Sequence, residues 1–172
     1  MRKGGIVEEA VFIKESEAGL FIRAQGHITA QLCPELKSRA FSRLDAEPPL
    51  KAIYIDFEAA EYMDSTFLGL LVGLNKRFKA LSGRPITLLR VNATCGGLLR
   101  TIGVSKLVEM AEAGPDFPKI MERLGRGPRA TAEFLLDAHE ELTGLSEENR
   151  ARFSTLTETL KSALGKDQKE EK

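Results

Sequence analysis

The sequence contains no tryptophan and only two cysteines, two histidines and two tyrosines in 172 residues. Each scarcity closes off a class of chemistry. Cys33 and Cys95 lie far apart, with no cysteine or histidine partner at metal-ligand spacing, so neither a zinc site nor a disulfide framework is indicated. His27 and His139 fall in different parts of the chain. Net charge is also missing, because 25 basic residues balance 25 acidic ones. No field of one sign recruits nucleic acid or an anionic membrane surface. No run approaches the roughly 20 apolar residues of a membrane span, and no apolar stretch long enough for a signal peptide follows Met1-Arg2-Lys3-Gly4-Gly5. A cytoplasmic location without nucleic-acid or membrane partners is the expectation. No glycine-rich loop with a following lysine is present to cradle phosphate, and Gly96-Gly97 alone fits close packing or helix geometry. Nothing marks a nucleophile elbow. No metal, no cofactor and no enzymatic activity are expected.

What is present is an ordinary globular composition, 42% hydrophobic and 29% charged, arranged as alternating short elements. Residues 10–14 and 20–24 are apolar runs joined by a hairpin-like connection. Leu32, Leu36, Ala40 and Leu44 recur at helical spacing, and Pro34 fits that helix's first turn. Residues 52–57 read as a buried strand ending near a polar loop. The clearest helix follows Asp64-Ser65-Thr66: Phe67, Leu70, Leu71, Leu74, Phe78 and Leu81 form its stripe, and Ser82-Gly83 stops it. Residues 86–91 are a strand, residues 93–102 a short helix ended by Gly103, and Leu107-Val108 a candidate last strand. Strands alternating with helices predict an α/β domain, and the hairpin start makes its sheet mixed. That domain spans residues 1–110.

Beyond it the character changes. Residues 111–128 read as a linker containing Gly114-Pro115 and a candidate short helix over 117–124. A C-terminal helical extension follows over residues 129–165. Its first helix carries Phe134, Leu135, Ala138 and Leu142 on one face. Ser146 caps the second, whose stripe is Phe153, Leu156, Leu160 and Leu164. Gly165 is expected to end that helix, leaving residues 166–172 as a disordered charged tail. His139, beside Glu140 and Glu141, is expected on a solvated face. The stripes must be buried against something: packing in cis is the expectation, with a homodimer or a docking surface for an upstream regulator as alternatives.

The segment Tyr62-Met63-Asp64-Ser65-Thr66-Phe67 puts a small hydroxyl residue between a buried strand and an amphipathic helix. One reading is purely structural, with Asp64 or Ser65 as the helix N-cap, worth about 1 kcal/mol. The other uses the same geometry. A phosphate on such a hydroxyl would meet free backbone amides and the favourable end of the helix dipole.

Here the residues resemble a known family. Met63-Asp64-Ser65-Thr66-Phe67-Leu68-Gly69 is similar to the phosphorylation motif of STAS domains, within them the bacterial anti-sigma factor antagonists. Residues 52–57 resemble the family's central strand, and Gly83-Arg84-Pro85-Ile86-Thr87-Leu88 its next helix-to-strand turn. Leu98-Leu99-Arg100-Thr101-Ile102-Gly103-Val104 resembles its closing helix-then-glycine segment. The likeness covers about residues 6–110 and implies a STAS-like α/β fold, a mixed sheet of about four to five strands with helices packed on it, plus the C-terminal helical extension. It also implies a phosphorylation-switched regulator of transcription. The unphosphorylated form would bind an anti-sigma factor serine kinase, phosphorylation would end that interaction, and a serine/threonine phosphatase would reverse it. Ser65 is the implied acceptor, with Thr66 as the alternative. Asp64, Thr66, Phe67, His27 and Thr29 are the implied partner-binding residues. Two positions depart from the family's pattern: Phe67 stands where glycine usually follows the two hydroxyl residues, and Thr29 where an aspartate is often found. Phe67 either fills part of the partner surface or joins the core. A STAS scaffold or interaction subunit of a signalling or lipid-transport assembly, without phosphorylation, is the alternative function.

Overall fold

The computed structural model describes Gly5 and residues 7–170. A tight turn at Glu17-Ala18 joins β1 (Ala10–Ser16) to β2 (Gly19–Ile28), and the two pair antiparallel from Ala10 opposite Gln25 to Ser16 opposite Gly19. Gly19 has φ +146°, and a Cβ there would meet the Ala52 carbonyl, so only glycine fits that corner. Helix α1 (Cys33–Leu44) carries Pro34 in its first turn and buries Leu36, Ala40 and Leu44, the stripe read from the sequence.

Strand β3 (Ile53–Met63) is the longest, at 11 residues. Residues 58–63, which read as a polar loop, in fact continue the strand. Their mixed polarity is that of a strand end with one face outward, and β2 supplies a parallel partner as far as Ile28 opposite Met63. Helix α2 (Ser65–Ser82) follows at once and ends on Gly83 at φ +74°. Strand β4 (Thr87–Leu89), helix α3 (Ala93–Ile102) with Gly103 at φ +92°, and strand β5 (Glu109–Ala111) complete the parallel half.

Residues 117–124 form no helix. They place β6 (Glu122–Arg123) antiparallel to β1, and Leu124 N–H donates to the Val11 carbonyl at 2.8 Å. The segment closes the free edge of the sheet, a backbone demand that its helix-like apolar spacing did not announce. The six strands run in the order β5-β4-β3-β2-β1-β6.

Phe57 packs edge-on to Phe67 of α2 at 6.2 Å between ring centres. Phe21 of β2 stacks on Tyr54 of β3 and meets Phe117 edge-on at 4.9 Å, so the segment after β5 covers that part of the sheet. Beside Phe117, buried Asp56 accepts from Arg90 Nη2 at 2.8 Å and from the Glu58 amide at 3.0 Å, with Arg23 3.6 Å away. Burial pushes the Asp56 carboxyl up, but the Arg90 and Glu58 hydrogen bonds and the two guanidinium charges outweigh it and hold the group below its ordinary value.

Two more helices follow, α4 (Ala132–Thr143) and α5 (Glu147–Glu170). Thr131 caps α4, its hydroxyl accepting from the Phe134 amide at 3.1 Å. Helix α5 passes through Gly165 without stopping. A lone glycine costs a helix only about 1 kcal/mol, and no proline follows to enforce an end. Helix α5 folds back along α4 to make a hairpin, and α4 lies against α2.

Candidate functional site: the start of helix α2

The site forms where β2 and β3 end side by side. The Asp64 amide donates to the Ile28 carbonyl at 3.0 Å, tying the two strand ends together. Asp64 has extended backbone, φ −86° and ψ 174°, and its carboxylate works in two directions. Oδ1 accepts from the Phe67 amide at 2.9 Å and caps α2, while Oδ2 accepts from the Ala30 amide at 2.8 Å across the neighbouring loop. Asp64 is therefore the N-cap, and Ser65 is the first residue of the helix. Amides of a first helical turn have no backbone partner in the preceding turn. Ser65 thus sits where an anion would meet unpaired donors and the positive end of the dipole.

The Ser65 hydroxyl is not open. Its Oγ lies 2.8 Å from His139 Nε2, and His139 Nδ1 lies 2.6 Å from the Leu135 carbonyl oxygen. A carbonyl only accepts, so Nδ1 carries a proton, and in the neutral ring Nε2 accepts from Ser65. His139 is 2% exposed and packs edge-on to Phe153 of α5 at 5.4 Å. The solvated position expected for it is thus corrected. Leu135, Ala138, His139 and Leu142 share the i, i+3, i+4, i+7 spacing of one face, and that face lies on α2. The sign was in the sequence, masked by Glu140 and Glu141.

The remaining predicted residues occupy different environments. Thr66 is buried, and Phe67 is fully buried in the core, the second of the two readings open for it. Thr29 is partly buried; its carbonyl accepts from the Leu32 amide at 3.0 Å and the Cys33 thiol at 3.4 Å. His27 is exposed, 3.6 Å from Glu61, with its ring 5.7 Å from that of Tyr62. Asp64 and the loop holding Thr29 are therefore brought together at Ser65. His27 lies on the outer side of the same strand end. Burial first, and then the Asp64 carboxylate, push the Cys33 thiol up, so it remains a protonated packing group.

Sequence reasoning also passed over Gly69 and Asn149. A Cβ on Gly69 would overlap the Ala138 carbonyl and stand 2.9 Å from the Ala138 Cα, so α2 and α4 touch backbone to backbone. Asn149 is 1% exposed, and its Nδ2 donates to the Ile102 and Leu142 carbonyls at 2.8 and 2.9 Å. No local pattern distinguishes either residue from an ordinary helical glycine or a polar first-turn residue.

The family model "STAS domain" matches residues 10–116, and the chain belongs to that family. Among solved structures, the chain is similar to the anti-sigma factor antagonist SpoIIAA in its unphosphorylated form. The identity is 20%, with 60% of this chain and 89% of that one covered and a TM-score of 0.50. SpoIIAA of Bacillus in its phosphorylated form is 19% identical, covering 58% and 90% of the two chains, with a TM-score of 0.48. An anti-sigma factor antagonist from Mycobacterium paratuberculosis is 14% identical, covering 62% and 86%, with a TM-score of 0.49. A search of curated proteins gives no match. The STAS fold is thus common ground, and helices α4 and α5 lie beyond the matched residues.

Proposed function

We propose that this chain is a bacterial, cytoplasmic anti-sigma factor antagonist regulated by phosphorylation of Ser65. The observation that carries this reading is the placement of Ser65 as the first residue of α2. There the helix is capped by Asp64 through the Phe67 amide, and Ser65 is partly buried rather than packed into the core. The resemblance of Met63–Gly69 to the family's phosphorylation motif points to the same residue. In this reading the unphosphorylated chain binds an anti-sigma factor serine kinase and so frees a sigma factor. The kinase's ATP supplies the γ-phosphoryl group. Ser65 Oγ forms the new P–O bond as ADP leaves, and the hydroxyl proton passes to the kinase's base. The product carries about −1.5 to −2 additional charge at a binding surface, enough to repel the partner without refolding the domain. A serine/threonine phosphatase resets the switch. The chain is a substrate and binding partner, not a catalyst.

Although Ser65 and His139 stand at nucleophile–base distance, the ring is sealed between helices and serves to hold the hydroxyl. That engagement favours one second reading, a STAS interaction subunit that is never phosphorylated. Intact-mass analysis after incubation with ATP and the anti-sigma-type serine kinases of the source organism separates the two. One phosphate on the native chain and none on Ser65→Ala is the expected result. No phosphate from any kinase, with tight binding to another partner retained, would leave the second reading standing.

A further inference from the structure

We infer that helices α4 and α5 form an intramolecular cap over Ser65, and that the hydroxyl becomes available only when this hairpin undocks from α2. The inference rests on reading Ser65 as the modified residue and supplies a gate for it.

Three observations carry it. In the docked state the Ser65 hydroxyl is spent on His139 at 2.8 Å, with an imidazole standing against the atom a kinase must reach. The hairpin is fitted to this place through the direct approach of Ala138 to Gly69, where any side chain would hold α4 off. Asn149 then pins the turn between α4 and α5 to the end of α3 through the Ile102 carbonyl.

The seam is apolar at its centre, where Leu142 and Phe153 join the core, and polar at its edge. An open cleft of about 570 Å³, bordered by Phe41, Gly73 and Phe134, runs along one side of the α2–α4 seam, between it and α1. Its rim is polar, with Lys76 3.3 Å from Glu141 and Lys37 3.9 Å from Asp137. The body closes at Leu124, and the hairpin hangs from the largely exposed residues 125–131. An exposed tether lets the hairpin move as a unit, and what it must give up is the α2–α4 seam itself.

Capping and modification must also oppose each other equally. A phosphate on Ser65 would place three oxygens where the His139 ring stands. By linkage, whatever factor docking takes from the equilibrium for phosphorylation, phosphorylation takes from the equilibrium for docking. The modified chain therefore exposes the inner face of the hairpin, with His139, Leu142 and Phe153.

A test without a kinase follows from the glycine contact. Gly69→Ala keeps a good helix former in α2 but drives α4 away, and Leu142→Asp removes a fully buried anchor from the opposite side. Each is combined with Ser65→Cys, and alkylation by iodoacetamide is followed by intact mass. The native chain gives the background from buried Cys33 and Cys95. Slow amide exchange in β2 and β3 identifies variants whose body is intact.

Alkylation is expected to be slow with Ser65→Cys alone and about tenfold or more faster when either second substitution is added, because the rate follows the open population. Any activation of the thiol by His139 would be lost on undocking, so it works against the expected rise. Equal rates in all three chains would overturn the cap. Phosphorylation is then measured on the Gly69→Ala and Leu142→Asp chains with Ser65 intact. Equal rates of phosphorylation in native and undocked chains would also overturn the cap while leaving the switch in place. A gated thiol in chains that no kinase modifies would sink the phosphorylation reading and leave the gate standing.

Discussion

The sheet with its first three helices and the α4–α5 hairpin are built on different principles. The body is held by apolar volume and by backbone pairing. Ile22, Ile55, Phe57, Phe67, Leu71 and Leu88 are all 1% exposed or less, and six strands satisfy one another's backbone groups. The hairpin joins the same core through Leu142 and Phe153, but much of what it buries is polar: His139, Asn149 and Thr157 lie beside Ala138, Leu142, Phe153 and Leu160. Apolar burial is non-directional and tolerates repacking, whereas a buried polar group is stable only with its particular partner. The body is thus fixed by composition and pattern, and the hairpin by a handful of matched contacts. The first design gives a scaffold, the second a part that can leave.

Substitutions can break this comparison at either side. The largest effect is expected from Phe57→Ala, which empties a fully buried ring position beneath α2 and should cost about 3–5 kcal/mol. Denaturant unfolding followed by circular dichroism should show body and hairpin lost together, because the hairpin has no other surface to dock on. Asn149→Ala comes next. It removes the buried donor to the Ile102 carbonyl and one of the donors to the Leu142 carbonyl, and should cost about 1–3 kcal/mol. Amide exchange should place that loss in α4 and α5, with β2 and β3 as protected as before; uniform loss across the molecule would erase the distinction between the two regions.

Asp64→Ala removes a cap and should lower unfolding stability by about 0.5–2 kcal/mol. An effect at the upper end is expected, since the tie to the Ala30 amide is lost as well. Acid should reach the body through Asp56. Its carboxyl titrates below the ordinary 3.8 when folded, so its contribution is complete above that value and is lost as pH falls through the lower folded one. Unfolding free energies measured from about pH 6 down to about pH 3 should fall less steeply for Asp56→Asn than for the native chain. The smallest change is expected from Gly165→Ala, on an exposed part of α5 with open space around it, which should stabilise that helix by about 0.5–1 kcal/mol and leave the body unchanged.

Much of the body was legible because each element repeats one simple periodicity. The stripe Leu36-Ala40-Leu44, the 3.6-residue pattern through Phe78 and the glycines at positions 83 and 103 mark α1, α2 and the ends of α2 and α3 as the chain folds them. Leu107-Val108 only adjoin the last parallel strand, which is Glu109–Ala111, and two longer segments misled more. Residues 58–63 look polar because one side of the strand end is solvated, and residues 117–124 look helical although β1 recruits part of them as an edge strand. In each case the deciding partner lies in a distant stretch of chain, where local spacing carries no record of it.

The candidate site divides in the same way. The sequence alone determined that a hydroxyl residue stands at the head of an amphipathic helix behind a buried strand, because caps and stripes are local physics. It also determined that the C-terminal helices have an apolar side that needs a cover. Only the tertiary structure decided that Asp64, not Ser65, is the cap, that Phe67 belongs to the core, and that His139 crosses 74 positions of sequence to take the Ser65 hydroxyl. Hydrogen bonding and close packing depend on where two surfaces meet, and that is set by the shape of the whole fold, not by the spacing of residues along either helix.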